Sequence, residues 1–199
     1  MTETCFNAMA VREMDSFTGQ LLIAMPQLDD MFFARSVVFV LSHSLENGAM
    51  GLIVNRHVQA LTLGRIYADL KVEPLRTTEA SRPVHFGGPV APDHAFVLHS
   101  TDYHEEGTQA VSDGFALTAT LDVIRAMARG SGPSQALIAV GYAGWAPGQL
   151  EAEIKANGWL LVGADPDIVF HGNDEAKWEK ALAKLGVSPE LISGSAGQA

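Results

Sequence analysis

The chain has 199 residues, 13 Lys and Arg against 23 Asp and Glu, and a formal net charge of −10; 47% of it is hydrophobic and 18% charged. That balance excludes a disordered chain and predicts one compact domain, 18–190, between a mobile arm at 1–17 and a partly ordered tail at 191–199. No apolar run reaches the roughly 18 residues of a membrane span, the acidic opening lacks the basic start of an export signal, and the single Cys5 fits a reducing cytosol.

In chain order, the apolar run Gln20–Ala24, closed by Met25-Pro26, predicts a buried strand. Ser36–His43 is apolar on both faces, as an interior strand is, and Ala49–Asn55 repeats that character. The Asn47-Gly48 pair between them marks a hairpin turn. Leu61–Leu70 has helical spacing, weakened by Gly64, and 73–83 reads as a loop. Val84-His85-Phe86 leads into Gly87-Gly88-Pro89, and Ala95–His99 is a further short strand. Residues 101–114 read as a loop with a hairpin edge at 109–111. Leu121–Arg129 reads as a helix with Thr118 or Thr120 as N-cap and Gly130 as its stop. Ala136–Val140 reads as a strand running into a glycine-rich loop, Gly141–Gly148. A helix over 149–157, a strand at 159–162 and a further strand at 167–170 follow. The last helix, 175–185, carries an apolar stripe of Trp178, Ala181, Leu182 and Leu185. Intermixed strands and helices predict an α+β fold, a mixed β-sheet flanked by helices.

Charge is unevenly placed. No Lys or Arg lies between Arg82 and Arg125, an interval with six carboxylates and four histidines, His85, His94, His99 and His104. An acidic surface repels phosphate backbones, so direct nucleic-acid binding is not expected.

The strand, glycine-rich turn and helix start at 141–149 is an arrangement that can cradle a phosphate. It matches no nucleotide fingerprint and has no Lys, and Glu151 and Glu153 in the following turn oppose an anion, so a structural corner is the preferred reading. With Gly148 as N-cap, Glu151 can reach back to the cap N–H. Leu150, Glu153, Ile154 and Asn157 fall at i, i+3, i+4 and i+7, so Glu153 flanks the apolar stripe; it is either a general acid or a carboxylate paired with a backbone or Asn157 amide, and pairing is preferred. His43 is a pocket-rim base or, more simply, a histidine bonded to a turn. Gly87-Gly88-Pro89 opens the backbone to a ligand or makes a tight crossover between strands. His94, His99 and His104 recur every five residues, a spacing that converges on neither a helix nor a strand face, so no metal site is assigned. No catalytic constellation is complete and no cofactor is implied.

The segments GQLLIAMPQLDDMFFARSVVFVLSH, GAMGLIVNR, FGGPV with FVLHS, VGYAGWAPGQLEAEIKANGWL and LGVSPELISGSAGQA resemble the bacterial YqgE/AlgH family from Gly19 to nearly the last residue. The resemblance implies a compact cytosolic protein with a mixed sheet flanked by helices, a transcriptional-regulator label for some members, and no assigned chemistry. Family residues carried by position are His43, Gly48, Gly51, Asn55, Gly87, Gly88, Pro89, Gly141, Gly144, Trp145, Gly148, Gln149, Glu151, Glu153, Asn157 and Trp159. His57 departs from the pattern, which has a proline there. The expectation is a non-catalytic protein that binds a protein or small-molecule partner, any regulation being indirect. The expected surface is the 87–90 loop, the 141–149 loop and the His43 hairpin, with Asn55, Trp145, Gln149, Glu153 and Asn157 as further binding residues. The alternatives are a hydrolase using Glu153 and His43 as acid and base, and direct DNA regulation.

Overall fold

The computed structural model describes residues 16–28, 30–189 and 192. Cys5 with most of the expected arm, and most of the expected tail, lie outside the described residues.

Ten strands form one sheet. β1 (Gln20–Ala24) lies between β10 (Trp159–Gly163) and β2 (Val37–Ser44), antiparallel to both. β2 turns into β3 (Gly48–Ile53) through the expected hairpin, with Ser44 opposite Gly48. Strand β3 pairs with the C-terminal part of the ten-residue β9 (Ala136–Trp145). The same edge of β9 carries β5 (Pro83–Phe86), the parallel pair that makes the sheet mixed, and β4 (His57–Thr62) borders β5. On its other edge β9 pairs with β6 (Val90–His99), followed by β8 (Phe115–Thr118) and β7 (Gln109–Ser112).

The period-2 alternation of β1 and β2 feeds two cores. Leu21, Ile23, Val37 and Phe39 face one, and Leu22, Ala24, Val38 and Val40 face the other; all eight are fully buried. At roughly 1.5–3 kcal/mol for each large apolar side chain, this pair of strands anchors the molecule. The helices are α1 (Leu63–Asp69), α2 (Thr77–Ala80), α3 (Leu121–Ala128), α4 (Gln149–Lys155), α5 (Pro166–Val169) and α6 (Asp174–Lys184). α6 inserts Trp178, Ala181 and Leu182 into the first core, and the Trp178 indole donates to the Ala24 carbonyl at 2.8 Å. α4 gives Leu150 to the second core, beside Trp145 and Trp159. α1 and α3 pack Leu63, Tyr67, Ile124 and Met127 over β5, β6 and β9 in a third. The fold is mixed α+β.

Several expectations change. Residues 167–169 belong to α5 and Phe170 is its C-cap, not a strand: Asp165 caps the Asp167 N–H and Pro166 takes the first helical position, where its missing N–H costs nothing. Residues 141–145 are the end of β9, not a loop. β6 begins at Val90, five residues earlier than expected, and α2 falls within the expected 73–83 loop. β4 occupies 57–60, left unassigned between the 49–55 strand and the helix, and also Leu61 and Thr62, so the helix expected from Leu61 begins at Leu63. Leu185 lies just past the end of α6 and is 39% exposed, so it leaves the apolar stripe. Thr120 stands at the N-cap of α3, but its hydroxyl donates to Glu105 rather than to the helix.

Candidate functional site

His43 lies at the β2 end of the hairpin with its side chain buried. Its Nε2 donates to Glu151 Oε1 at 2.9 Å, its Nδ1 accepts the Phe17 N–H at 3.2 Å, and the Phe17 ring stacks on it at 4.4 Å. Both ring nitrogens are therefore engaged. Burial pushes the Glu151 carboxyl up, but its own N–H, the His43 hydrogen bond and charge, and Lys155 together hold it below the usual range. Glu151 thus turns to His43 instead of reaching back to its cap.

Glu153, two residues along on α4's other flank, has separate partners. Its Oε2 accepts both the Trp145 and the Trp159 indole N–H, at 2.9 and 2.8 Å, and its Oε1 accepts Gln149 Nε2 at 2.9 Å. Gln149 in turn accepts the Ala146 N–H. The alternative of an acid–base pair of Glu153 and His43 meets two separate sets of partners: His43 bonds Glu151, and Glu153 accepts three donors over the second core. Asn157 contributes no side-chain bond to it. Asn157 adopts a left-handed backbone (φ 58°) after α4, and its carbonyl accepts Gln27 Nε2.

Gly87, Gly88 and Gly141 face one another. A Cβ on Gly87 would lie 2.2 Å from the Gly141 carbonyl oxygen, one on Gly88 2.2 Å from the Tyr142 carbonyl carbon, and one on Gly141 2.3 Å from the Gly88 oxygen. Backbone packs on backbone here, where the chain leaves β5 and enters β6 across β9. Pro89 beside them is exposed. Gly144 and Trp145 line a groove of about 590 Å³ with His43, Met50 and Tyr142. Asn55 lies elsewhere: its side chain accepts the Val37 N–H and donates to the Arg35 carbonyl, closing the chain between β2 and β3's exit.

The four histidines of the acidic interval do not form one patch. His99 is buried, donating to the Ser100 carbonyl and bonded to Thr118. His94 is exposed beside Asp93, and His85 is buried against Asp174. Among the described residues, no group of three or more metal-ligating side chains is placed to hold a metal ion.

His85 instead points to a cleft of about 650 Å³ between β4, β5 and the start of α6. Asp174, the first residue of α6, gathers its charges. Its carboxylate contacts Lys177 Nζ at 3.0 Å, His85 Nε2 at 3.1 Å and His57 Nδ1 at 3.6 Å. Burial raises the Asp174 carboxyl, but the His85 hydrogen bond and charge, with Lys177, outweigh it and bring it to about 2. Lys177 is buried, which pulls its ammonium down against the pull of Asp174, and it also donates to the Val54 and Val169 carbonyls at 2.8 and 3.0 Å. Arg56 and Arg82 line the same cleft. Of the residues singled out from sequence as binding residues, only Asn55 reaches it. The Asn173 cap and the lysine one turn inside a helix otherwise apolar on that face were the signals available in the sequence.

A mixed α+β fold with such a polar cleft does not by itself name a protein; sequence likeness does. The AlgH-like family model, DUF179, matches residues 21–190. A UPF0301 protein of Ruegeria pomeroyi is 51% identical over 183 residues, covering 92% of this chain and 98% of that one. A UPF0301 protein of Rhodopseudomonas palustris (strain BisB18) is 47% identical over 188 residues, covering 91% and 88%. The solution structure of the AlgH protein from Pseudomonas aeruginosa matches with a TM-score of 0.74 and 38% identity, over 93% of this chain and 97% of that one. The chain belongs to the AlgH-like family. No helix among the described residues is long and apolar enough to cross a membrane.

Proposed function

We propose that this protein works by binding rather than by catalysis, and that its ligand site is the cleft between β4, β5 and α6. The observation that carries this reading is the Asp174 cluster. It fixes three titratable or charged side chains, His57, His85 and Lys177 from three elements, around one carboxylate at the wall of this cleft. The groups proposed for proton transfer on the other side are committed elsewhere: both nitrogens of His43 and both oxygens of Glu153 have partners. Regulation, in this reading, is indirect and follows from ligand or partner binding, since a net charge of −10 opposes DNA. One cysteine in the whole chain fits a cytosolic location.

A thermal-shift screen of the pure chain against metabolites tests this. A ligand at 100 times its Kd stabilises by roughly 2.7 kcal/mol, a readily measured shift. Hits that vanish when Gln59→Trp fills the cleft support the reading; hits that survive the filled cleft place the site elsewhere.

A further inference from the structure

We infer that the cleft beside α6 takes a small molecule through an oxyanion, a carboxylate or phosphate group, held by the Arg56 guanidinium with His57 alongside; this rests on the reading that the cleft is the ligand site. Arg35, Arg65, Arg82 and Arg125 each reach a carboxylate, those of Glu179, Asp69, Glu79 and Asp122. Arg56, Arg76 and Arg129 reach none among the described residues, and of these three Arg56 is the one that lines the cleft. Its Nη1 and Nη2 donate instead to the Met31 and Ala34 carbonyls, at 3.0 and 2.5 Å. Those carbonyls fix the plane of the guanidinium and leave its charge uncompensated. Two of its five N–H groups are used, and the rest suit the two oxygens of a carboxylate or phosphate.

The surroundings favour an anion over a cation. Asp174 is internally neutralised by Lys177 and hydrogen-bonded to His85, so it offers little to an incoming cation. Of the three cationic side chains that line the cleft, Arg82 is paired with Glu79 and Lys177 with Asp174, which leaves Arg56 as the lining cation with no carboxylate among the described residues. His57 is 56% exposed at the rim, engages Asp174 through Nδ1 only, and leaves Nε2 for a ligand. A cavity of about 650 Å³ exceeds a bare anion, so the oxyanion is one end of a larger polar metabolite.

Two-dimensional amide NMR of the full chain, titrated separately with inorganic phosphate, succinate and sodium chloride at matched ionic strength, tests this. Saturable shifts at Asn55–Gln59 and Asn173–Glu175 with phosphate alone assign a phosphoryl group; shifts with succinate alone assign a carboxylate, and both together assign either. Arg56→Gln is expected to weaken binding about tenfold or more by removing a charge-assisted fork. Because Arg56 also ties down residues 31–34, Glu175→Gln is the second variant: it touches no core and is expected to tighten binding by about threefold through lost repulsion. No saturable shift with either anion, equal shifts with chloride, or an unchanged Kd in Glu175→Gln overturns the oxyanion. Metabolite hits still abolished by Gln59→Trp would then leave the cleft as a ligand site of other chemistry, whereas hits that persist there would remove both readings.

Discussion

Trp145 and Trp159 meet edge to face, their ring centroids 5.9 Å apart and their planes at 80°, and both indole N–H groups converge on one oxygen of Glu153. A carboxylate at the flank of an apolar stripe invites a catalytic reading. Here it is spent on holding two large aromatic side chains from β9 and β10 in one orientation.

Replacing that carboxylate leaves two indole donors without an acceptor. Glu153→Leu is expected to cost about 2–4 kcal/mol, since bonds to charged groups are worth roughly 1.5–3 kcal/mol each and buried donors are expensive to orphan. Urea unfolding followed by tryptophan fluorescence measures the loss, and the native emission should change as well. A variant as stable as the parent would show that packing alone sets the pair.

Lys177 presents the opposite case, a buried cation with three acceptors from β3's exit, α5 and α6. Asp174→Asn strands that ammonium and is expected to cost about 3–5 kcal/mol. Asp174→Asn combined with Lys177→Met should recover much of it, because an apolar side chain of similar length needs no counter-charge. Chemical denaturation of both variants decides whether the pair is coupled.

The Asp174 and Glu151 carboxyls are both held below their ordinary values, so each binds a proton more weakly folded than unfolded. Their contribution is complete above the unfolded value and lost as pH falls through the folded one. For Asp174 that window runs from about 4 down to about 2. Thermal melts from neutral to acid pH should show the stability gap between parent and Glu151→Gln narrowing as acid is added. A constant gap would mean the His43 bond carries no charge contribution.

Gly141 has a left-handed backbone (φ 71°), and a Cβ there would sit against the Gly88 carbonyl. Gly141→Ala is expected to destabilise by about 3 kcal/mol or more, through backbone strain and a collision with main chain that cannot rotate away. Soluble yield and melting temperature report it. Gly148→Ala is the control: its φ is also positive, but open space surrounds it, so only the smaller strain remains.

Much of the framework was legible because its signals are local. The apolar runs of β1 and β2, the Asn47-Gly48 turn and the stripe of α6 each lie within a few residues of one another. Errors fell where a neighbour in sequence misled. Asp165-Pro166 reads as a helix start only if the four β-compatible residues after it are set aside, and glycines at 141 and 144 imitate a loop while serving a strand that another backbone crosses.

The sequence by itself determined the mixed class of fold, through composition and periodicity, the family, through long segments of specific likeness, and the net acidity. The partners of the ionisable groups were decided only in three dimensions. His85 and Asp174 are 89 residues apart, His43 and Glu151 are 108, and Lys177 and the Val54 carbonyl are 123. No local spacing encodes such pairs, because the sheet order brings them together only after β5, β9 and α6 have packed. The chain's histidines and carboxylates are visible in its sequence; which of them meet is a property of the folded sheet.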